Sequence, residues 1–290
     1  MSYTLGVLGG SGLYEMEGLR DVREVTVETP FGAPSDVLVE GTLEGGTKLL
    51  FLPRHGRGHK VPPHQINYRA NICALKKSGA THLVSVSAVG SMKEEIEPGH
   101  FVVPDQFIDL TKKRITTFFE DGIAGHVMFA DPVCALVAAA LTEAAEKTGT
   151  RVHRGGTYLC MEGPQFSTRA ESRLYRSWGV SVIGMTSMPE AKLAREAELP
   201  FATLALATDY DCWHESHDDV TVEQVVATVK KNVSLAKKAI ALLAASLPDP
   251  TKSIAHHASR GAVMTTPDAI PEAARERLAW LLSGGASLTP

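Results

Sequence analysis

The sequence predicts an α/β fold with a largely buried central sheet, on three observations. Short apolar runs alternate with amphipathic stretches along the chain. Some of these runs, such as Leu5-Gly6-Val7-Leu8 and Phe201–Ala207, are almost wholly apolar, as strands covered on both faces require. The amphipathic stretches begin and end with helix-capping residues.

The elements follow in order. Leu5–Leu8 reads as a strand ending in Gly9-Gly10-Ser11-Gly12. Val25–Val27, Val37–Val39 and Leu49–Leu52 read as strands bounded by Gly or Pro. His64–Lys77 reads as a helix stopped by Gly79, and Leu83–Val86 as a strand leading into Ser87-Ala88-Val89-Gly90. Asp131–Lys147 reads as a helix with Asp131 as N-cap and Pro132 at its first position. Thr168–Trp178 opens with the capping-box pattern Thr168-x-x-Glu171, and Thr221–Leu247 with Thr221-x-x-Gln224. Between them, Phe201–Ala207 is a strand running into Thr208-Asp209-Tyr210-Asp211. The linker signal Pro248-Asp249-Pro250 divides a main unit, residues 1–250, from a tail, residues 251–290. The tail holds one helix, Pro271–Leu282, and is expected to dock on the body or on a neighbouring subunit.

Composition narrows the classes. At 290 residues and 44% hydrophobic, the chain can bury a full core without disulfides or metal. A net charge of −4 argues against nucleic acid or an anionic membrane as the partner. The four cysteines are isolated and read as reduced thiols of a cytoplasmic protein. No signal peptide or membrane span is read.

Five segments carry chemistry. The turn Gly9–Gly12 lets backbone N–H groups approach an anion, with the Ser11 hydroxyl beside them; an unliganded tight turn fits the segment equally. In Arg54-His55-Gly56-Arg57-Gly58-His59, two arginines and two histidines suit an oxyanion. A zinc reading of His55, His59 and His64 fails, because the glycines and prolines between them oppose the helix that would align the rings. Phe166-Ser167-Thr168 offers an aromatic face and hydroxyls at a helix start, suited to a flat base, although one hydroxyl caps the helix. In Gly184-Met185-Thr186, Met185 suits a sugar ring and Thr186 a phosphate; Met185 also fits a core. Asp209 and Asp211 lie two apart at a strand end, so they face one way, repel, and favour holding one shared proton. Such a proton can protonate a weakly basic leaving group.

Gly-Gly-Ser-Gly, Arg-His-Gly-Arg, Asn67-Tyr68-Arg69-Ala70-Asn71, Glu162–Ser167 and Thr208–Trp213 occur together in this order. Through them the chain resembles the trimeric purine nucleoside phosphorylase family over residues 1–247, in its branch acting on 5′-methylthioadenosine. The resemblance implies a mixed central sheet with a smaller barrel-like sheet, flanked by helices. It implies phosphorolysis of methylthioadenosine to adenine and 5-methylthioribose 1-phosphate, in methionine and purine salvage. Ser11, Arg54, His55, Ser87, Ala88 and Thr186 would then bind phosphate. Phe166, Ser167 and Met185 would bind base and ribose, and Asp209 and Asp211 would be catalytic. His126 would reach a neighbouring subunit's 5′ pocket, and Val222 and Val225 would line that pocket. The partners implied are a nucleoside, phosphate and further copies of the chain, as a homotrimer or hexamer, with no metal and no cofactor. Ser11 and Ser87 stand where the family often has threonine, and Gly184 where some members have asparagine.

Two alternatives stand beside this one. A 6-oxopurine phosphorylase of the same family would carry asparagine at the position of Asp209. A nucleotide-binding oxidoreductase built on Gly9–Gly12 lacks the fingerprint spacing.

Overall fold

The structure, a computed structural model, describes residues 3–10, 12–13, 15–214 and 222–282, without the side chains of residues 222–227 and 282. Its strands are β1 (Thr4–Gly9), β2 (Arg20–Val25), β3 (Leu38–Thr42), β4 (Lys48–Pro53), β5 (His82–Ser91) and β6 (Phe101–Val103). They continue with β7 (Gln106–Asp109), β8 (Val152–Arg154), β9 (Thr157–Cys160), β10 (Val182–Gly184) and β11 (Phe201–Tyr210). The helices are α1 (Tyr68–Lys77), α2 (Ala135–Glu146), α3 (Arg169–Ser177), α4 (Ser187–Glu196), α5 (Val222–Ala244) and α6 (Glu272–Leu282).

All eleven strands belong to one mixed sheet that branches at β5. The N-terminal half of β5 lies between β1 and β11, parallel to both. Its last residues keep β11 on one side and exchange β1 for β10, antiparallel, on the other, and that branch continues through β9 to β7. The expected smaller sheet is therefore continuous with the main one. A second branch runs from β11 through β6 to β8.

The strands at the centre are buried on both faces. Every residue of β1 is buried, and so are the first seven of β11. Alternate residues feed two cores. Leu50, Leu52 and Leu83 pack under α1, α4 and α6, whereas Leu49, Phe51 and Val84 pack under α2 and α5. This is why the runs read as nearly continuous apolar strings rather than as alternating ones.

Helix boundaries shift where backbone groups are taken elsewhere. α1 starts at Tyr68 rather than His64, because residues 63–65 form a separate 3₁₀ turn and the Asn67 side chain accepts from Ala70 N–H. Asp131 does not cap α2. Its carbonyl accepts from Arg195, and the Cys134 N–H donates to Phe201, so the helix opens only at Ala135. The capping box of α3 is complete, with Thr168 and Glu171 each satisfying the other's backbone. Thr221, the expected cap of α5, lies outside the described residues.

The tail packs on its own body. The Ser259 N–H and hydroxyl both donate to Glu198, and just ahead of the tail His82 Nε2 bonds the Pro248 carbonyl at 2.8 Å. Trp280 meets Phe118 edge to face, with centroids 5.0 Å apart. Val263 bridges Gly125, and Arg277 pairs with Asp121. Leu278 is fully buried in the core under α1 and α4. Leu278→Ala is expected to lower stability by about 2–5 kcal/mol, seen as a lower urea midpoint.

Candidate active site

β1, β4, β5 and β11 are mutually parallel, so their carboxyl ends gather at one edge of the sheet. A cavity of about 370 Å³ opens there, the place where parallel sheets collect ligands. Its walls include Arg54, His55, Ser87, Ala88, Phe166, Met185, Thr186, Asp209 and Asp211, nine residues expected from the sequence and brought together from five separate segments.

Arg54 follows directly on β4 and is 2% exposed. Its Nε donates to Glu190 Oε1 at 2.7 Å, and Nη2 donates to Glu190 Oε2 at 3.0 Å. Nη1 donates to the Val86 carbonyl at 2.8 Å; Nη2 also faces the Leu8 carbonyl at 3.2 Å and the Ser85 hydroxyl at 2.7 Å. The Ser85 hydroxyl in turn donates to Glu190 at 2.7 Å. The planar fork that suits an oxyanion is thus occupied by Glu190. One Nη1–H remains for the cavity, and Glu190 offsets the guanidinium charge.

His55 donates Nδ1–H to the Val61 carbonyl at 2.8 Å, since a carbonyl can only accept. Burial, and next the charge of Arg54, lower its pKa to about 4. The ring is therefore neutral at pH 7, with Nε2 as an acceptor. His59, the second histidine of the same loop, stacks on it with centroids 4.2 Å apart and also lines the cavity. Arg57 turns away and pairs with Glu24 at 2.6 Å, so the oxyanion loop contributes one arginine rather than two.

Ser87 and the exposed Ala88 continue β5 along the cavity, and Thr186 precedes α4 without spending its hydroxyl on a capping bond. At the other wall, the pairing of β11 with β5 slips between Ala207 and Asp209. That bulge re-aims the strand end. Thr208 donates to Asp209 Oδ2 at 2.6 Å. A Cβ on Gly90 would stand 3.2 Å from Ile183 Cγ2 and 3.4 Å from both Asp209 Oδ1 and the Asp211 Cβ, so the β5 backbone runs close beside the two aspartates. Phe166 is 83% exposed at the cavity mouth, an apolar ring with its faces uncovered.

Not every expected residue joins them. Ser167 turns its hydroxyl toward Met161 Sδ at 3.8 Å and does not line the cavity. His126 is exposed on the segment that pairs with the tail, outside the cavity of its own subunit. Ser11 and the side chains of Val222 and Val225 lie outside the described residues. Gly184 cannot be replaced by asparagine in place: a Cβ there would fall 1.9 Å from the Tyr158 hydroxyl. That hydroxyl sits 3.4 Å from Ser87 Oγ. Among the described residues, no three His, Cys, Asp or Glu side chains group as a metal site.

This fold, with anion-suited groups and an aspartate pair in one cavity, is that of a nucleoside-type phosphorylase. The chain belongs to the Phosphorylase superfamily, whose family model matches residues 4–247. It is 60% identical to an S-methyl-5′-thioadenosine phosphorylase of Geobacter sulfurreducens, over 96% of this chain and 97% of that one. A second such enzyme, from Koribacter versatilis, is 53% identical over 96% of this chain and 95% of its own. Among solved structures, a methylthioadenosine phosphorylase from an antarctic soil metagenomic library superposes with a TM-score of 0.92 at 47% identity, covering 97% of this chain and 99% of that one. An adenosine/methylthioadenosine phosphorylase variant of Schistosoma mansoni, in complex with methylthioadenosine, gives 0.78 at 33% identity, with 98% and 99% covered.

Because Arg54 and Glu190 are buried together, removing one strands the other's charge. Glu190→Ala is expected to destabilise the fold by about 3–5 kcal/mol, measured by denaturant unfolding. Glu190→Gln, which keeps the shape and part of the hydrogen bonding, should lose less.

Proposed function

We propose that the protein cleaves 5′-methylthioadenosine with inorganic phosphate, giving adenine and 5-methylthioribose 1-phosphate, as a pentosyltransferase. The observation that carries the reading is the single cavity shared by Arg54, His55, Ser87 and Thr186 on one side and Asp209 and Asp211 on the other. The identity with S-methyl-5′-thioadenosine phosphorylases across nearly the whole chain supports the substrate.

In this reading, phosphate is held by hydrogen-bond donors rather than by an unpaired cation. Arg54 gives its remaining Nη1–H, and Ser11, Ser87, Thr186 and the Ala88 backbone give theirs. His55, neutral, accepts from a phosphate hydroxyl. As the glycosidic bond lengthens, the ribose gains positive charge, and the phosphate anion that stabilises it then attacks the anomeric carbon from the opposite face. Electrons flow into the purine, and a protonated Asp209 gives its proton to N7. Asp211 accepts from the 6-amino group. Phe166 covers the base and Met185 packs on the ribose, while Ser167 would reach the base edge only by turning its hydroxyl away from Met161. Phosphate is the nucleophile and Asp209 the acid, so neither metal nor organic cofactor has a step to perform.

The reading extends to the assembly. The protein works in the cytoplasm as a homotrimer or hexamer, in methionine and purine salvage. His126 closes the 5′ pocket of a neighbour, whose Val222 and Val225 line it. None of the described helices is long and apolar enough to cross a membrane.

Adenine release should require phosphate and yield a sugar 1-phosphate in equal amount, as chromatography of both products would show; equal rates in phosphate-free buffer would indicate a hydrolase.

Base choice gives a sharper check. Hypoxanthine places an acceptor opposite Asp211, and sites built on such a match reject the wrong analogue by about 10⁴-fold. Methylthioadenosine and adenosine should therefore turn over far faster than inosine. Asp209→Ala should lower kcat by on the order of 10²–10⁴. Asp209→Asn should lose adenine activity and gain some on 6-oxopurines. Comparable rates on inosine and adenosine would discard this assignment in favour of the 6-oxopurine alternative.

A further inference from the structure

We infer that Arg114, which does not line the cavity, is the positioning residue that fixes the Met185–Thr186 wall relative to the loop after β9. The inference rests on the phosphorylase reading of the site.

Arg114 lies in the irregular stretch after β7, and its side chain is only 1% exposed. Its Nε donates to Glu162 Oε1 at 2.9 Å. Nη1 faces the Tyr68 hydroxyl at 2.8 Å, the Met185 carbonyl at 2.7 Å and the Met188 carbonyl at 2.6 Å. Nη2 donates to the Glu162 carbonyl at 2.7 Å and more weakly to Met161 at 3.4 Å. The five N–H groups of one planar cation thus serve acceptors from three separate segments.

Each of those segments supplies the cavity. Met161 and Met185 line it directly, and Thr186 follows Met185 in the chain. Tyr68 donates its hydroxyl to the Pro63 carbonyl at 2.9 Å, and Pro63 also lines the cavity. The loop and the wall are already in close contact: a Cβ on Gly163 would lie 2.6 Å from Met185 Sδ. Without a donor between them, the carbonyls of Met161, Glu162, Met185 and Met188 would face one another with like partial charges. Burying such groups unpaired is unfavourable, so the wall would move. Glu162 holds the guanidinium from the other side while accepting from the backbone N–H groups of Lys112 and Lys113, which fixes the stretch that carries Arg114.

Lysine keeps the charge opposite Glu162 but has no planar fork, so Arg114→Lys separates ion pairing from positioning. The readouts are steady-state kinetics with phosphate and methylthioadenosine each varied, plus the thermal midpoint. The expected result is a lowered midpoint that still leaves the protein folded at the assay temperature, with kcat/KM about tenfold lower or more and both KM values raised together, because Met185 and Thr186 serve the two substrates. Glu162→Gln, partly exposed and conservative, should move both KM values in the same direction by a smaller factor. Added guanidinium ion should restore activity to Arg114→Ala where ammonium does not. Wild-type KM values in the lysine and glutamine variants would overturn the inference, and so would a loss fully explained by the unfolded fraction. An inactive wild type would instead count against the phosphorylase reading itself.

Discussion

One buried charge pair sets the geometry on which the rest of the structure depends. Arg54 and Glu190 are both almost fully enclosed, and the guanidinium binds the end of β1 through Leu8, the middle of β5 through Ser85 and Val86, and α4 through Glu190. A pair so enclosed contributes little net stability by itself, since desolvation offsets most of the attraction. Its effect is one of register. β1, β4, β5 and α4 can come together in one arrangement that leaves neither charge unpartnered. The cavity sits directly over that arrangement, so its shape follows from the condition that the charges stay satisfied.

The second determinant is the direction of the strands. Four parallel strands run toward the same edge, and residues in or just beyond their carboxyl-terminal parts line one side of the cavity. The slip in pairing after Ala207 then separates two tasks within β11. Up to that residue the strand is core, with 0–4% exposure along Phe201–Ala207; beyond it, Asp209 stands open to solvent. A strand without the slip would keep the alternation of its buried part.

Much of this was legible in the sequence because it is local. Apolar strings gave the central strands, and a Thr-x-x-Glu box gave the start of α3 at the right residue. Three-residue strands such as β6, β8 and β10 carry no periodicity and were not read. α4 was missed for a different reason. Pro189 reads as a helix breaker, yet it lies at a kink between two helical pieces, with non-helical angles confined to Met188 and Pro189. Within the site, residues in glycine-rich or polar strand-end loops were found. Glu190 and Arg114 were not, because their roles depend on partners far away in the chain: Arg54 is 136 positions from Glu190, and Met185 is 71 from Arg114. No window of sequence contains both halves of either interaction.

The close approach of Gly184 to Tyr158 imposes an order on how this site can change by mutation. Tyr158 is fully buried, and its hydroxyl occupies the space where any side chain at position 184 would begin. A substitution at 184 made first meets a collision and is lost. A smaller residue at 158 made first opens that space, at the cost of a void. The two positions are therefore coupled, and a side chain at 184 is expected only together with a change at 158.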